Sequence, residues 1–302
     1  MKKIVKRFLY VFYSIYCLLF CNRKYKILNE NDTIDKILEG KYSVSRFGDG
    51  EFKWILGVKQ NSFQTQSEEL SKELLETFMN NNPKCLIGIP RAINNTKEYN
   101  FEAKFYWKRF KFKYYKKLEK IIDINKIYID ASFTRPYIDF INKDNMDKKF
   151  GKIKKLWSKR KILIVEGQGV NFGVGNNLLD NAKSIERIIC PSKDAFNCID
   201  EIYSEIIKQF KGHLVLIALG PTASILCDKL SKNDIQSIDI GHLDVEYCWY
   251  LNGCNTKTNI IGKNVNEKNK DESVNMYIDK KQMKKEIISY IGVKKGIGDK
   301  CE

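Results

Sequence analysis

Apolar positions along this chain recur with two periods, and their alternation predicts an α/β protein. Between Glu68 and Met79, residues Leu70, Leu74, Leu75 and Phe78 fall at helical spacing. Cys85 to Ile89 is instead a short apolar run stopped by Pro90, as in a strand buried on both faces. The same reading predicts strands at Tyr42–Arg46, Ile127–Ala131, Lys161–Val165, Ile188–Cys190, Leu214–Leu219 and Gln236–Ile240. It predicts helices at Asn31–Leu38, with Asp32 or Thr33 as cap and Gly40 as stop, and at 101–122, about 148–160, Ala195–Phe210 and Lys280–Ile291. Strands alternating with helices imply a Rossmann-like, mostly parallel sheet flanked by helices.

Ahead of this pattern Lys2, Lys3, Lys6 and Arg7 precede an apolar run from Leu9 to Cys21, and Arg23, Lys24 and Lys26 follow it. A bilayer span needs about 20 apolar residues, so the run is short for one. No small-residue cleavage site follows, which argues against a signal peptide. The expectation is a basic, aromatic-rich helix associated with an anionic membrane surface on the cytoplasmic face, the plain alternative being a helix packed on the protein's own core. The chain divides accordingly into this helix, 1–26, and one catalytic-type domain, 27–302, whose polar stretch after Asn252 (253–302) reads as a lid and terminal helix.

Composition narrows the classes. The 302 residues are 43% apolar and 12% aromatic, which excludes a disordered chain. A net charge of +16 points to anionic partners. No zinc-finger spacing or basic-region heptad accompanies it, so no nucleic acid is expected. The interleaved aromatic and basic residues of 101–122 read as a helix with one core face and snorkelling lysines. Nine cysteines without a C-x-x-C pair indicate reduced thiols and a cytoplasmic protein.

Candidate chemistry gathers at strand ends. Ser45-Arg46-Phe47-Gly48-Asp49-Gly50-Glu51-Phe52 sets two carboxylates two positions apart between glycines. Glycine's conformational freedom is expected to let Asp49 and Glu51 turn toward one point and hold Mg²⁺ or Mn²⁺, with Arg46 beside them for phosphate. A surface turn is the plain alternative. Arg135, in Thr134-Arg135-Pro136-Tyr137, is a second phosphate candidate. After Lys161–Val165 comes a glycine-rich turn carrying Gly167, Gly169, Gly173, Gly175 and Asn176, expected to lead into a helix and to cradle a nucleotide phosphate. Its spacing departs from the dinucleotide fingerprint, so it carries no specificity for NAD. Gly220 and Thr222 form the next strand-to-helix turn. A second D-x-E, Asp244 and Glu246, stands beside His242, one of two histidines and a candidate general base.

Taken in order, SRFGDGEF, LIGIP, TRPY, EGQGVNFGVGNNLLDNAKSIERIICPSKDAF, LGPTAS and DIGHLDVEY resemble the GT-D-fold glycosyltransferases, a family first known as a bacterial domain of unknown function. The likeness runs from about residue 40 to 252. It implies transfer of a sugar from a nucleotide donor, typically a UDP-sugar, to a glycan or glycoprotein acceptor in building cell-surface polysaccharide or glycoprotein. It also implies a metal held by a D-x-E motif. Asp49 and Glu51 are the first choice, and Asp244 and Glu246 the rival pair. Family members commonly carry serine and arginine after the Glu-Gly of the glycine-rich loop, where this chain has Gln168-Gly169-Val170-Asn171-Phe172. Two rivals remain: an NAD(P)-dependent oxidoreductase on the same sheet, and a non-enzymatic basic adaptor for membrane or nucleic acid.

Overall fold

The computed structural model describes residues 2–60, 62–265, 269–275 and 280–293. In chain order its strands are β1 (Lys26–Ile27), β2 (Ser43–Arg46), β3 (Cys85–Ile89), β4 (Ile127–Asp130), β5 (Lys161–Gly167), β6 (Ser184–Cys190), β7 (Leu214–Ala218), β8 (Ser237–Asp239), β9 (Thr258–Ile261), β10 (Asn269–Asn275) and β11 (Ile287–Tyr290). The helices are α1 (Lys2–Phe20), α2 (Glu30–Gly40), α3 (Asp49–Ile55), α4 (Glu68–Met79), α5 (Phe101–Leu118), α6 (Met146–Lys154), α7 (Ile199–Gln209), α8 (Pro221–Ser231), α9 (Leu243–Leu251) and α10 (Lys280–Glu286).

Among the described residues nine strands form one sheet in the order β1-β4-β3-β2-β8-β7-β5-β6-β11, and every pairing in it is parallel. From β2 the chain builds outward through β3 and β4. It then restarts at β5, lays β6 on the far side and brings β7 and β8 back beside β2. In open parallel sheets, ligands bind outside the carboxyl ends of strands where the winding direction changes. Both faces are covered, as a wholly parallel sheet requires. One core contains Leu74 of α4, Ile202 of α7 and Leu226 of α8, and the other contains Ile37 of α2, Phe150 of α6 and Trp249 of α9.

Most predicted elements occur, and the differences have local causes. Helix α2 is capped by Asn29, whose side chain accepts from the Asp32 amide at 2.9 Å. Thr33, an expected cap, is buried and accepts from the amide of Asp130. Residues 168–183, after β5, are turns rather than the helix expected there. Ser184 to Arg187, read as lying ahead of a strand, are its first half. The expected helix Lys280–Ile291 is α10 followed by β11, which pairs with β6 and carries Ile287 and Ile288. The β-branched residues favour the strand once a sheet edge is available.

Helix α1 packs against α5 through rings, with Tyr13 5.9 Å from Phe105 and 5.1 Å from Phe112 between centroids. Among the described residues no helix is long and apolar enough to cross a membrane.

Candidate active site

Strands β2, β7 and β8 end side by side, and each runs into a helix. Gly48 caps α3, Gly220 precedes Pro221 at the start of α8, and His242 precedes Leu243 at the start of α9. Gly48, Asp49, Gly220, Asp239 and His242 line a single cleft of about 1340 Å³. The first amides of a helix lack intrahelical partners and sit at the positive end of its dipole. Helix α8, with no acid in its first turn, is the end most open to an anion, whereas α3 and α9 carry Asp49, Glu51, Asp244 and Glu246 in theirs.

Arg46 ties the strand ends together. Its Nε donates to the backbone oxygen of Asp239 at 2.8 Å, one terminal nitrogen to Asp239 Oδ1 at 2.8 Å, and the other to the backbone oxygen of Ala131 at 3.2 Å. Three of its five N–H groups are thus spent on the protein, and the residue still borders the cleft. Gly241, at φ +45°, is required beside it, because a Cβ there would lie 1.9 Å from the guanidinium. Asp239 also accepts from the Gly241 amide at 3.0 Å. Burial pushes its carboxyl up while the Arg46 charge pulls it down, the net shift being upward. Sequence reasoning did not single out Asp239. Its signal was an acid at the C-terminal end of a strand, just ahead of Gly241 and His242.

Asp49 and Glu51 do not converge as a glycine-flanked turn would allow. Asp49 opens α3, and two positions along a helix differ by about 200° of arc. Glu51 folds back, its Oε2 accepting from the Gly48 amide at 2.9 Å, as a glutamate in the first turn does when it closes a cap. Burial pushes its carboxyl up to about 7, helped by the nearby Asp239 charge and opposed by Arg46. Asp49 turns to α5 and to its own helix: Oδ2 accepts from Lys53 Nζ at 2.6 Å and from the Tyr106 hydroxyl. Both carboxylates border the cleft, and the hydrogen bonds to each fall on one oxygen, leaving Asp49 Oδ1 and Glu51 Oε1. Because the two leave α3 in different directions, either one supplies a single hard oxygen, which fits a Mg²⁺ or Mn²⁺ ion that completes its shell with water and phosphate. Among the described residues no group of three or more His, Cys, Asp or Glu side chains forms a metal cage.

The rival D-x-E is divided. Asp244 borders the cleft but is 2% exposed, one oxygen accepting from Asn176 Nδ2 at 2.7 Å and the other pairing with the buried ammonium of Lys263. Glu246 is fully buried and does not border the cleft; its Oε2 accepts from the amides of Tyr137 and Ile138 at 3.0 and 2.9 Å. Burial pushes it up to about 7 against the pull of Arg135, whose Nε lies 3.9 Å away. Arg135 and His242 do border the cleft.

The glycine-rich loop is corrected most. Gly167 borders the cleft, but Gly169, Gly173, Gly175 and Asn176 do not. Those three glycines have positive φ, and Cβ atoms on Gly169 and Gly173 would meet Asn264 and Leu179. The segment 262–264 lies across the loop: Asn264 donates to the backbone oxygen of Gln168 at 2.8 Å, Lys263 to that of Asn171 at 2.8 Å, and Asn171 to that of Gly262 at 2.7 Å. The helix of an NAD cradle is not present over 168–183. Thr222, expected at the nucleotide, is fully buried and absent from the cleft wall. Gly220, at φ +56°, is on the wall under Phe63, which a Cβ would meet at 2.2 Å. Tyr99, Phe105, Tyr106, Trp107 and Phe140 add aromatic rings to the cleft wall.

Comparison with known proteins agrees with this architecture. A solved structure described as having a distinct glycosyltransferase fold, that of the highly conserved domain of unknown function 1792, matches with a TM-score of 0.81 at 36% identity, over 89% of this chain and 96% of that one. A second, a new glycosyltransferase from Streptococcus sanguinis, matches with a TM-score of 0.82 at 32% identity, over 89% and 100%. Glycosyltransferase GlyD of Streptococcus pneumoniae is 34% identical over 86% of this chain and 32% of its own length. The probable glycosyl transferase Gly of Streptococcus gordonii is 34% identical over 83% and 37%. The chain thus spans about a third of the curated relatives it matches. The family described as Glycosyltransferase GT-D fold matches residues 44–268, most of the chain and every element around the cleft, and this protein belongs to it.

Proposed function

We propose that this protein transfers a sugar from a nucleotide diphosphate donor, a UDP-sugar, to a glycan or glycoprotein acceptor in surface polysaccharide or glycoprotein biosynthesis. The observation that carries the reading is the meeting of Arg46 with the N-terminus of α8 at the ends of β2, β7 and β8, which suits a diphosphate. The aromatic rings on the cleft wall suit a saccharide, whose apolar faces pack on rings.

Asp49 Oδ1 or Glu51 Oε1 would hold Mn²⁺ or Mg²⁺, which when bound would offset charge developing on the departing diphosphate. Arg46 is held in place by Asp239 and keeps two N–H groups for donor oxygens. His242, on the cleft wall at the start of α9, is the base placed to take the acceptor hydroxyl's proton. Glu246 is excluded from that role by its burial and its two backbone partners. The free thiols of the described cysteines suit a cytoplasmic protein.

A thermal-shift and hydrolysis screen of nucleotide sugars with and without Mn²⁺ tests this. A UDP-sugar should raise the unfolding temperature and be slowly hydrolysed only with the metal. Indifference to every sugar nucleotide, or an equal response to NADH, would overturn it.

A further inference from the structure

Helix α1 lies outside the family match, and the donor reading does not use it. Its inner side is accounted for: Tyr10 packs on Phe101 at 5.2 Å, Cys17 Sγ lies 3.6 Å from the backbone oxygen of Lys108, and the Arg23 amide donates to the Tyr115 hydroxyl at 2.9 Å. Its outer side is not. Ile4, Phe8, Val11, Ile15 and Leu18 are 54–77% exposed and fall within about 80° of arc at helical spacing. Val5, Phe12 and Leu19, also exposed, widen the stripe.

Charge identifies the occupant. No charged residue occurs from Phe8 to Asn22, whereas Lys2, Lys3, Lys6 and Arg7 stand before that stretch and Arg23, Lys24 and Lys26 after it. The first acidic residue of the chain is Glu30. A second copy laid on this stripe would bring like charges together at both ends without the flanking acid–base pairs that hold coiled coils. An apolar strip with basic ends matches a bilayer interface, where the strip enters the acyl boundary and the cations meet anionic headgroups. We infer that α1 is an in-plane anchor that docks this protein on an anionic lipid surface through the Ile4–Leu18 stripe. The anchor is next to the site: Lys6 pairs with Glu102 and Tyr13 packs on Phe105, and both partners border the cleft. Docking therefore sets the mouth of the cleft beside the lipid.

The test is sedimentation of the full chain with vesicles of phosphatidylcholine plus phosphatidylglycerol, and of phosphatidylcholine alone. Binding should require the anionic lipid and weaken as salt is raised. The Phe8→Ser/Leu18→Ser variant should bind at least about tenfold more weakly at an unchanged unfolding temperature, both side chains being exposed. Should that variant misfold, the added fluorescence of Leu18→Trp must be quenched by brominated phosphatidylglycerol. Absence of sedimentation, equal binding by wild type and the double variant, equal binding to neutral vesicles, or an unquenched Leu18→Trp each overturns the inference. So does a dimer in solution that the double variant abolishes without any vesicle binding, which assigns the stripe to a second copy.

Discussion

Arg46 grips Asp239 twice, through the backbone oxygen and through Oδ1, each at 2.8 Å, and so locks the end of β2 to the end of β8. A lysine keeps the charge but presents no planar fork. Arg46→Lys is therefore expected to lose about 1–3 kcal/mol of stability together with donor turnover, read by denaturant unfolding and UDP-sugar hydrolysis. Gly241→Ala should act in the same direction, since its methyl would occupy the guanidinium's place.

Chelation of divalent cations should abolish transfer, and Mn²⁺ or Mg²⁺ should restore it. Asp49→Asn or Glu51→Gln, whichever removes the cation's oxygen, should lower the rate by about 10²-fold or more, the usual cost of removing one charge-stabilising contact. Glu51→Gln retains an oxygen for the Gly48 amide and removes a carboxyl raised to about 7, so its unfolding temperature should not fall below wild type. Near-normal rates in both variants would remove the metal from this pair.

Glu246 gives stability a pH dependence. Its carboxyl is raised from an ordinary 4.5 to about 7 in the fold, so the folded state binds the proton more tightly than the unfolded one. Its contribution is fully present below pH 4.5 and is lost as pH rises through about 7, amounting to at most about 3 kcal/mol. Glu246→Gln keeps an acceptor for Tyr137 and Ile138 and cannot ionise. It should be more stable than wild type at pH 8, with a flatter profile between pH 4.5 and 7 in urea titrations.

Lys263 and Asp244 form a buried pair that fastens the 262–264 segment over the glycine-rich loop. Lys263→Met strands a buried carboxylate and should cost about 3–5 kcal/mol. Adding Asp244→Asn should recover much of that loss, which a double-mutant cycle in denaturant would measure.

The fold was legible wherever a segment's neighbours in sequence determine its state. Glu68 to Met79 carries its own apolar face, and Ser67 supplies its cap with a 3.1 Å bond to the Leu70 amide. The runs at β3, β5 and β7 are apolar enough to require burial on both faces. The same locality placed Arg46, Asp49, Glu51, Gly220 and His242 at strand ends, and all five border the cleft.

What escaped the sequence depends on partners far along the chain. The backbone oxygen of Gln168 is bonded by Asn264 and the carboxylate of Asp244 by Lys263, so a loop that reads as a phosphate cradle is a clasp. Residues Ile287–Tyr290 continue a helical pattern until β6 offers them an edge. Asp49 and Glu51 share a motif, yet a helix starting at Asp49 turns them apart. Side-chain periodicity and strand hydrophobicity are written in consecutive residues, and the sequence by itself determined the elements and the end of the sheet where the chemistry lies. Which carboxylate keeps an oxygen open at the cleft and which is tied to a remote amide or ammonium was decided only by tertiary structure, because hydrogen-bond partners are chosen by distance in space.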